Sequence, residues 1–158
     1  MLNFRFAAAA IALMAVSGSA NAGTTISNNL ANCGSGKGPA VLITVTGIKG
    51  ASGKMRVQSY PATKQSWLKK GAWLHRIEAK ATGSTMRFCV PVPSAGNYAI
   101  AIRHDKNGNG KTDIREDGGG MSNNPSINIW NLGKPSVSKT SFYAGSGVTP
   151  LSITMKYF

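Results

Sequence analysis

The chain has 158 residues, a formal net charge of +13 and five carboxylate side chains. That length suits one domain with a proper core rather than two, and the charge, unaccompanied by a basic helix or a recognised nucleic-acid motif, argues against a specific nucleic-acid site. No stretch approaches the roughly 18 continuous apolar residues of a membrane helix, so the chain is not expected to be transmembrane.

Residues 1–22 read as a Sec-type signal peptide. Arg5 gives the positive start, Ala7 to Val16 the apolar run, and Ala20-Asn21-Ala22 a small-x-small cleavage signal before Gly23. The mature protein is therefore expected to be periplasmic or secreted. Removing those 22 residues leaves 136, and losing Arg5 takes the charge from +13 to +12. A charge of this size favours adhesion to anionic envelope surfaces, such as lipid head groups or acidic polysaccharide.

Residues 23–38, rich in Gly, Ser and Asn, form an irregular lead-in to a single domain over 39–158. Cys33 would tie the lead-in down. In an oxidising compartment it is expected to pair with Cys89, which chain-entropy estimates value at about 4 kcal/mol; two cysteines without a nearby histidine fail the usual zinc spacing.

From Pro39 the pattern is that of strands. Val41, Ile43 and Val45 alternate with residues that turn polar toward Thr46, and Gly47 to Gly53 reads as a turn. Met55 and Val57 then point inward along Lys54–Tyr60. Pro61 stops that strand, and Gln65 to Gly71 has the signals of one helical turn, started by Thr63 or Ser66. Trp73, His75, Ile77, Ala79 and Ala81 share a face, as do Met86, Phe88, Val90 and Val92 after the Thr82-Gly83-Ser84 turn, which together suggest a hairpin. Tyr98, Ile100 and Ile102 make the next inward row. Ile127 to Trp130 and Ser141 to Tyr143 are short strand candidates, and Leu151, Ile153, Met155 and Tyr157 alternate along a closing strand.

Seven or eight short strands, each with one apolar face, need a second sheet to cover them. The expected fold is all-β, a two-sheet antiparallel β-sandwich with one long Gly/Asn/Asp-rich loop.

That loop holds the chemistry. Asp105, Asp113, Glu116 and Asp117 place four of the five carboxylates within thirteen residues. From Asp105 the chain runs Asp-Lys-Asn-Gly-Asn-Gly-Lys-Thr-Asp-Ile-Arg-Glu, which satisfies the calcium-loop pattern D-x-[DN]-x-[DN]-G-x5-E. Calcium takes six to eight oxygens at about 2.3–2.6 Å, and a tightly wound loop supplies them from alternate residues. On this pattern Asp105, Asn107, Asn109, the Lys111 carbonyl, Asp113 and Glu116 would be the ligands, with Gly110 permitting the turn. A strand precedes the loop and Gly118-Gly119-Gly120 follows it, so no paired EF-hand is expected. Lys106, Lys111 and Arg115 offset the acids, which predicts weak Ca²⁺ binding at about 10⁻⁴–10⁻³ M, the range of extracellular modules. The competing reading is a plain hydrogen-bonded turn rich in Asn and Gly.

The segment Gly96-Asn-Tyr98-Ala99 through His104-Asp105-Lys-Asn107-Gly108-Asn109-Gly110 to Asp113, followed by Ser122-Asn123-Asn124, resembles the signature of the bacterial family called domain of unknown function 2141. The resemblance implies an exported immunoglobulin-like or transthyretin-like sandwich with no assigned activity. It departs where family members carry Gly-x-Pro-x-Glu-Gly-Tyr-Gly-Phe, since this chain has Glu116-Asp-Gly-Gly-Gly-Met121 there.

An enzyme is not expected. His104 and Asp105 are neighbours on a strand, so their side chains point to opposite faces and cannot form a direct relay; His104 reads instead as support for the loop base, with Gly110 and the Ser122-Asn123-Asn124 run. His75 lies on an apolar face, and Asp113 with Glu116 on one loop lacks the cleft a glycosidase pair spans. The function expected is that of an exported noncatalytic module with a weak calcium loop. The alternatives are a carbohydrate- or envelope-binding module using Trp67, Trp73 or Trp130 as a stacking platform, and, least favoured by the residues, an envelope hydrolase.

Overall fold

The computed structural model describes residues 23–128, 131 and 133–158. The expected signal peptide, and Ile129 and Trp130 of one expected strand, lie outside these. The strands are β1 (Thr24–Ile26), β2 (Ala40–Thr46), β3 (Lys54–Pro61), β4 (His75–Lys80), β5 (Met86–Pro91), β6 (Gly96–Asp105), β7 (Gly118–Met121), β8 (Phe142–Ala144), β9 (Val148–Thr154) and β10 (Lys156–Tyr157). A 3₁₀ turn covers Leu30–Cys33, and a single helical turn, α1, covers Val137–Thr140.

Two sheets pack face to face. The larger runs β1-β4-β3-β6-β7-β10, with β8 pairing the start of β6, and the smaller runs β5-β2-β9. Between them lies the core: Met55, Val57, Ile77, Ile100 and Ile102 from one sheet meet Val41, Ile43, Val45, Phe88, Val90 and Ile153 from the other. Each of these rows is one face of a period-two pattern, and burying it drives the sheets together at about 25 cal/mol per Å² of apolar surface.

The sandwich expected from the alternation is present, but its sheets are mixed rather than antiparallel. β1 runs parallel to β4, and β2 runs parallel to β9. Parallel neighbours require a long crossover, and between β2 and β9 the chain runs through β3, β4, β6, β7 and β8 of the large sheet and β5 of the small one. The closing strand also breaks where continuous alternation was expected. Met155 donates its N–H to the Thr46 carbonyl at 2.9 Å, after which β10 leaves the small sheet and pairs with β7 of the large one. The alternation persists across the break because both sheets face the same core.

The lead-in is more ordered than its composition suggests. β1 joins the large sheet beside β4, Asn28 brackets β5 through Cys89 N–H and the Arg87 carbonyl, and Cys33 is bonded to Cys89.

A second apolar cluster covers the outer face of β3 and β6. Tyr60, Trp67, Ala99, Met121 and Ile127 form it, with Trp73 and Leu68 packed at its edge. Trp73 was expected in the inter-sheet row; it lies before β4 begins, so strand alternation does not govern it, and it packs on this outer side with the Arg76 guanidinium 3.9 Å from its ring centroid. The stretch from Thr63 makes turns rather than a regular helix, with Trp67 N–H reaching the Thr63 carbonyl and Ser66 N–H capped by the Thr63 hydroxyl. Its product is the burial of Trp67, whose indole N–H donates to the Pro135 carbonyl at 2.8 Å. Ile127 and Asn128 sit in loop rather than strand.

Candidate functional site

The longest strand, β6, ends by delivering Arg103, His104 and Asp105 to the base of the acidic loop. Alternation sends His104 inward, where it is fully buried, and Asp105 to the other side. His104 Nε2 lies 2.8 Å from the Ser52 carbonyl, which can only accept, so the ring proton sits on Nε2. Nδ1 is then the acceptor for the Tyr157 hydroxyl at 2.7 Å, whose oxygen in turn accepts the Lys49 N–H at 3.0 Å. Every donor and acceptor in this chain is used with a single ring proton. His104 thus fastens the end of β6 to the β2–β3 turn and to β10, and it makes no bond to Asp105.

The turn it fastens sits hard against the loop base. Gly53, at φ +72°, lies where an added Cβ would fall 1.9 Å from the Asp105 carbonyl oxygen. No other residue fits there.

Asp105 is 3% exposed. Its Oδ2 accepts the Gly110 N–H at 2.9 Å and faces Arg103 Nη2 at 3.5 Å, while its Oδ1 is buried with no partner among the described residues. Gly110, at φ +79°, takes the left-handed conformation that lets its N–H turn back to Asp105. Arg103 extends the clamp, donating to the Thr112 hydroxyl and to the Gly110 carbonyl.

Asn107 and Asn109 wind the loop as successive Asx turns. Asn107 Oδ1 accepts the Asn109 N–H at 3.1 Å, and Asn109 Oδ1 accepts the Lys111 N–H at 2.7 Å. Their amide nitrogens face inward onto the acids: Asn107 Nδ2 lies 3.0 Å from Asp113 Oδ2 and 2.9 Å from Glu116 Oε2, and Asn109 Nδ2 lies 2.6 Å from the same Asp113 oxygen. These two bonds, Asn107 first, hold the Asp113 carboxyl below the usual carboxylate range, with Lys111 and Arg103 adding smaller effects.

Of the six expected ligands, Asn107, Asn109, Asp113 and Glu116 are therefore brought to one focus. Asp105 is turned to Gly110 from the base, and Lys111 contributes its N–H to the winding. Among the described residues no group of three or more His, Cys, Asp or Glu side chains is gathered closely enough to hold a metal by itself. What converges is amide N–H on carboxylate oxygen, since the Asn107 and Asn109 Oδ1 atoms are turned to backbone N–H groups.

Asp117 is the residue the pattern passed over, because D-x-[DN]-x-[DN]-G-x5-E ends one position earlier. It is 4% exposed, and its two oxygens accept the N–H groups of Lys106 and Asp113 at 3.2 and 3.0 Å, closing the loop from both ends. Its visible signal was to be a fourth carboxylate in a chain with five. The partners of His104 carried no local signal, since Ser52 and Tyr157 are each more than fifty residues away.

Ser122, Asn123 and Asn124, expected to support the loop base, bond instead to β6, to the end of α1 and to β9. Ile100 N–H donates to the Ser122 hydroxyl, which is bonded in turn to the Thr140 carbonyl. Asn123 reaches the Ser141 carbonyl. Asn124 donates to the Ser152 carbonyl and accepts the Thr154 N–H, so one amide occupies the outer edge of β9 as a strand would.

A family model described as an uncharacterized protein conserved in bacteria matches residues 43–152, from β2 into β9 and across the whole loop. No curated protein and no solved structure matches the chain.

Proposed function

Starting from the chain's membership of that bacterial family, DUF2141, which brings no activity with it, we propose that the protein is an exported, noncatalytic module whose 105–116 loop binds calcium weakly. One observation carries this reading: Asp105 Oδ1 is a buried carboxylate oxygen with no partner among the described residues. A buried charged acceptor left unpaired is costly, and a cation is the partner that a calcium-patterned loop would supply. To hold Ca²⁺ the Asn107 and Asn109 amides, whose Nδ2 atoms face Asp113 and Glu116, would turn their oxygens inward beside the carboxylates of Asp105, Asp113 and Glu116.

The competing reading is a self-sufficient Asx-rich loop. It is favoured by the way Asn107 Nδ2 and Asn109 Nδ2 already satisfy Asp113 and Glu116. Calorimetric titration of the protein with Ca²⁺ separates the two. The calcium reading expects saturable heat with a dissociation constant of about 10⁻⁴–10⁻³ M, abolished by Asp105→Asn. No heat at millimolar Ca²⁺ leaves the plain loop.

Export by residues 1–22 and contact with anionic envelope surfaces belong to the same proposal, supported by the leader pattern and by the +12 charge left after Arg5 is removed. Within the described residues no helix is long and apolar enough to cross a membrane. A carbohydrate platform gains no support from Trp67, whose ring is buried and whose N–H is bonded to Pro135.

A further inference from the structure

Beside the loop, and lined in part by its Thr112, Ile114 and Asp117, a cavity of about 340 Å³ opens on the outer face of the large sheet, between β6, β7 and the segments after them. Its walls include Leu68, Met121, Ile127 and Phe158, and its volume falls in the range of small-molecule sites. The floor is made by a missing side chain. In Gly118-Gly119-Gly120 the outer two glycines face the core, where a Cβ would fall 2.4 Å from the Tyr157 ring and 2.8 Å from Ile153. Close packing accounts for both. Gly119 faces the opposite way, and a Cβ there would meet nothing nearer than Ile127 Cδ1 at 3.9 Å. Packing gives no reason for glycine at 119, and its bare backbone is what leaves the cavity open.

The charged groups lining the cavity are two cations, Arg103 and Lys134, and one acid, Asp117, whose oxygens are both bonded to backbone N–H groups. Arg103 Nε is a buried donor with no acceptor among the described residues. Arg56 lies directly across from Arg103 on the same face, and Arg76 lies across from Gln58, another lining residue. The acids nearby are already engaged. Glu78 pairs with Arg56, Asp105 faces Arg103, and Asp117 spends both oxygens on backbone N–H groups.

We propose that this cavity binds a small apolar molecule ending in a carboxylate, its body over Gly119 and between Met121 and Ile127, its charged end at Arg103 and Lys134. The walls select an apolar body, and the Arg103 guanidinium, whose Nε has no acceptor among the described residues, together with the Lys134 ammonium selects an anion over a neutral head. The cavity shares Arg103, Thr112, Ile114 and Asp117 with the loop and its clamp, so its ligand is tested both with and without Ca²⁺.

Titration calorimetry with octanoate as the probe, run in EDTA and again in Ca²⁺, tests it. Octanoate should bind saturably in both, and 1-octanol should bind at least about tenfold more weakly because it leaves the Arg103 donor unmatched. Gly119→Val, whose Cβ meets no backbone within 4 Å, should fill the floor and abolish binding while the thermal midpoint stays within a few degrees. Lys134→Gln should weaken octanoate about threefold and leave octanol unchanged. Equal affinity for octanol, undiminished binding in a folded Gly119→Val protein, or no octanoate binding at all would each overturn the proposal. So would a concentration-dependent dimer in sedimentation that Gly119→Val dissociates, since the cavity would then hold a second copy of the chain.

Discussion

At Tyr157 one hydroxyl serves two masters, donating to His104 Nδ1 and accepting from Lys49 N–H. Tyr157→Phe keeps the ring that packs against Gly118 and removes only that oxygen, leaving a buried imidazole nitrogen and a backbone donor unpaired. Loss of about 1–3 kcal/mol of stability is expected, read as a lower urea midpoint at unchanged slope. Asp113 offers a complementary test through pH. Its carboxyl is held below the usual range by Asn107 and Asn109, so it stabilises the fold at neutral pH, and that contribution disappears as pH falls through the lowered folded value. Asp113→Asn should flatten the acid limb of a stability-against-pH curve below about pH 4, whereas an unchanged limb would mean that the bonds from the two amides do not hold in solution. The Tyr60 hydroxyl runs the other way. Burial raises it above 10.0, so its contribution is complete below the ordinary tyrosine value and is lost as pH rises through the folded one.

Among the elements, β7 and β9 depend on contacts rather than on their own sequence preferences. Gly-Gly-Gly-Met has little intrinsic reason to be a strand; it becomes one because Gly118 and Gly120 allow Tyr157, Ile153 and Met155 to approach. Gly120→Val should therefore cost more than about 2 kcal/mol by forcing the small sheet outward, in contrast to the tolerated change at Gly119. Asn124→Ala should leave the Thr154 N–H and the Ser152 carbonyl without their side-chain partners. A cost of about 1–2 kcal/mol and faster amide exchange at Thr154 are expected. These elements also mark the limit of what the sequence made legible. β2, β3 and β6 could be read from Val41, Met55 and Ile100 and their period-two neighbours, because a half-buried strand writes its faces into the chain. Pairing partners leave no such trace. The parallel contact of β2 with β9 and the switch of sheets at Met155 follow from where distant segments meet, and the outer cluster of Trp67, Met121 and Ile127 comes from loops, which have no period to read. In the loop, spacing proposed Asp105, Asn107, Asn109, Lys111, Asp113 and Glu116 as ligands, while Asp117 was missed because it binds backbone N–H groups, a role the ligand pattern does not encode.

For the molecule as a whole, a cross-linked mixed-sheet sandwich holds one oxygen-rich loop at the end of its longest strand. Replacing Cys33 and Cys89 with Ser should remove about 2–4 kcal/mol, chiefly by freeing the lead-in in the unfolded chain, with little effect on a loop anchored through β6 and β10. The most direct test of the central claim is a calcium titration followed by backbone amide NMR on uniformly labelled protein. The amides of residues 105–117 should shift together and saturate, those of Gly110 and Asp113 most strongly, while the core strands stay fixed. Shifts centred on Glu78, the one acidic side chain outside the loop, or no shifts at millimolar calcium, would contradict it.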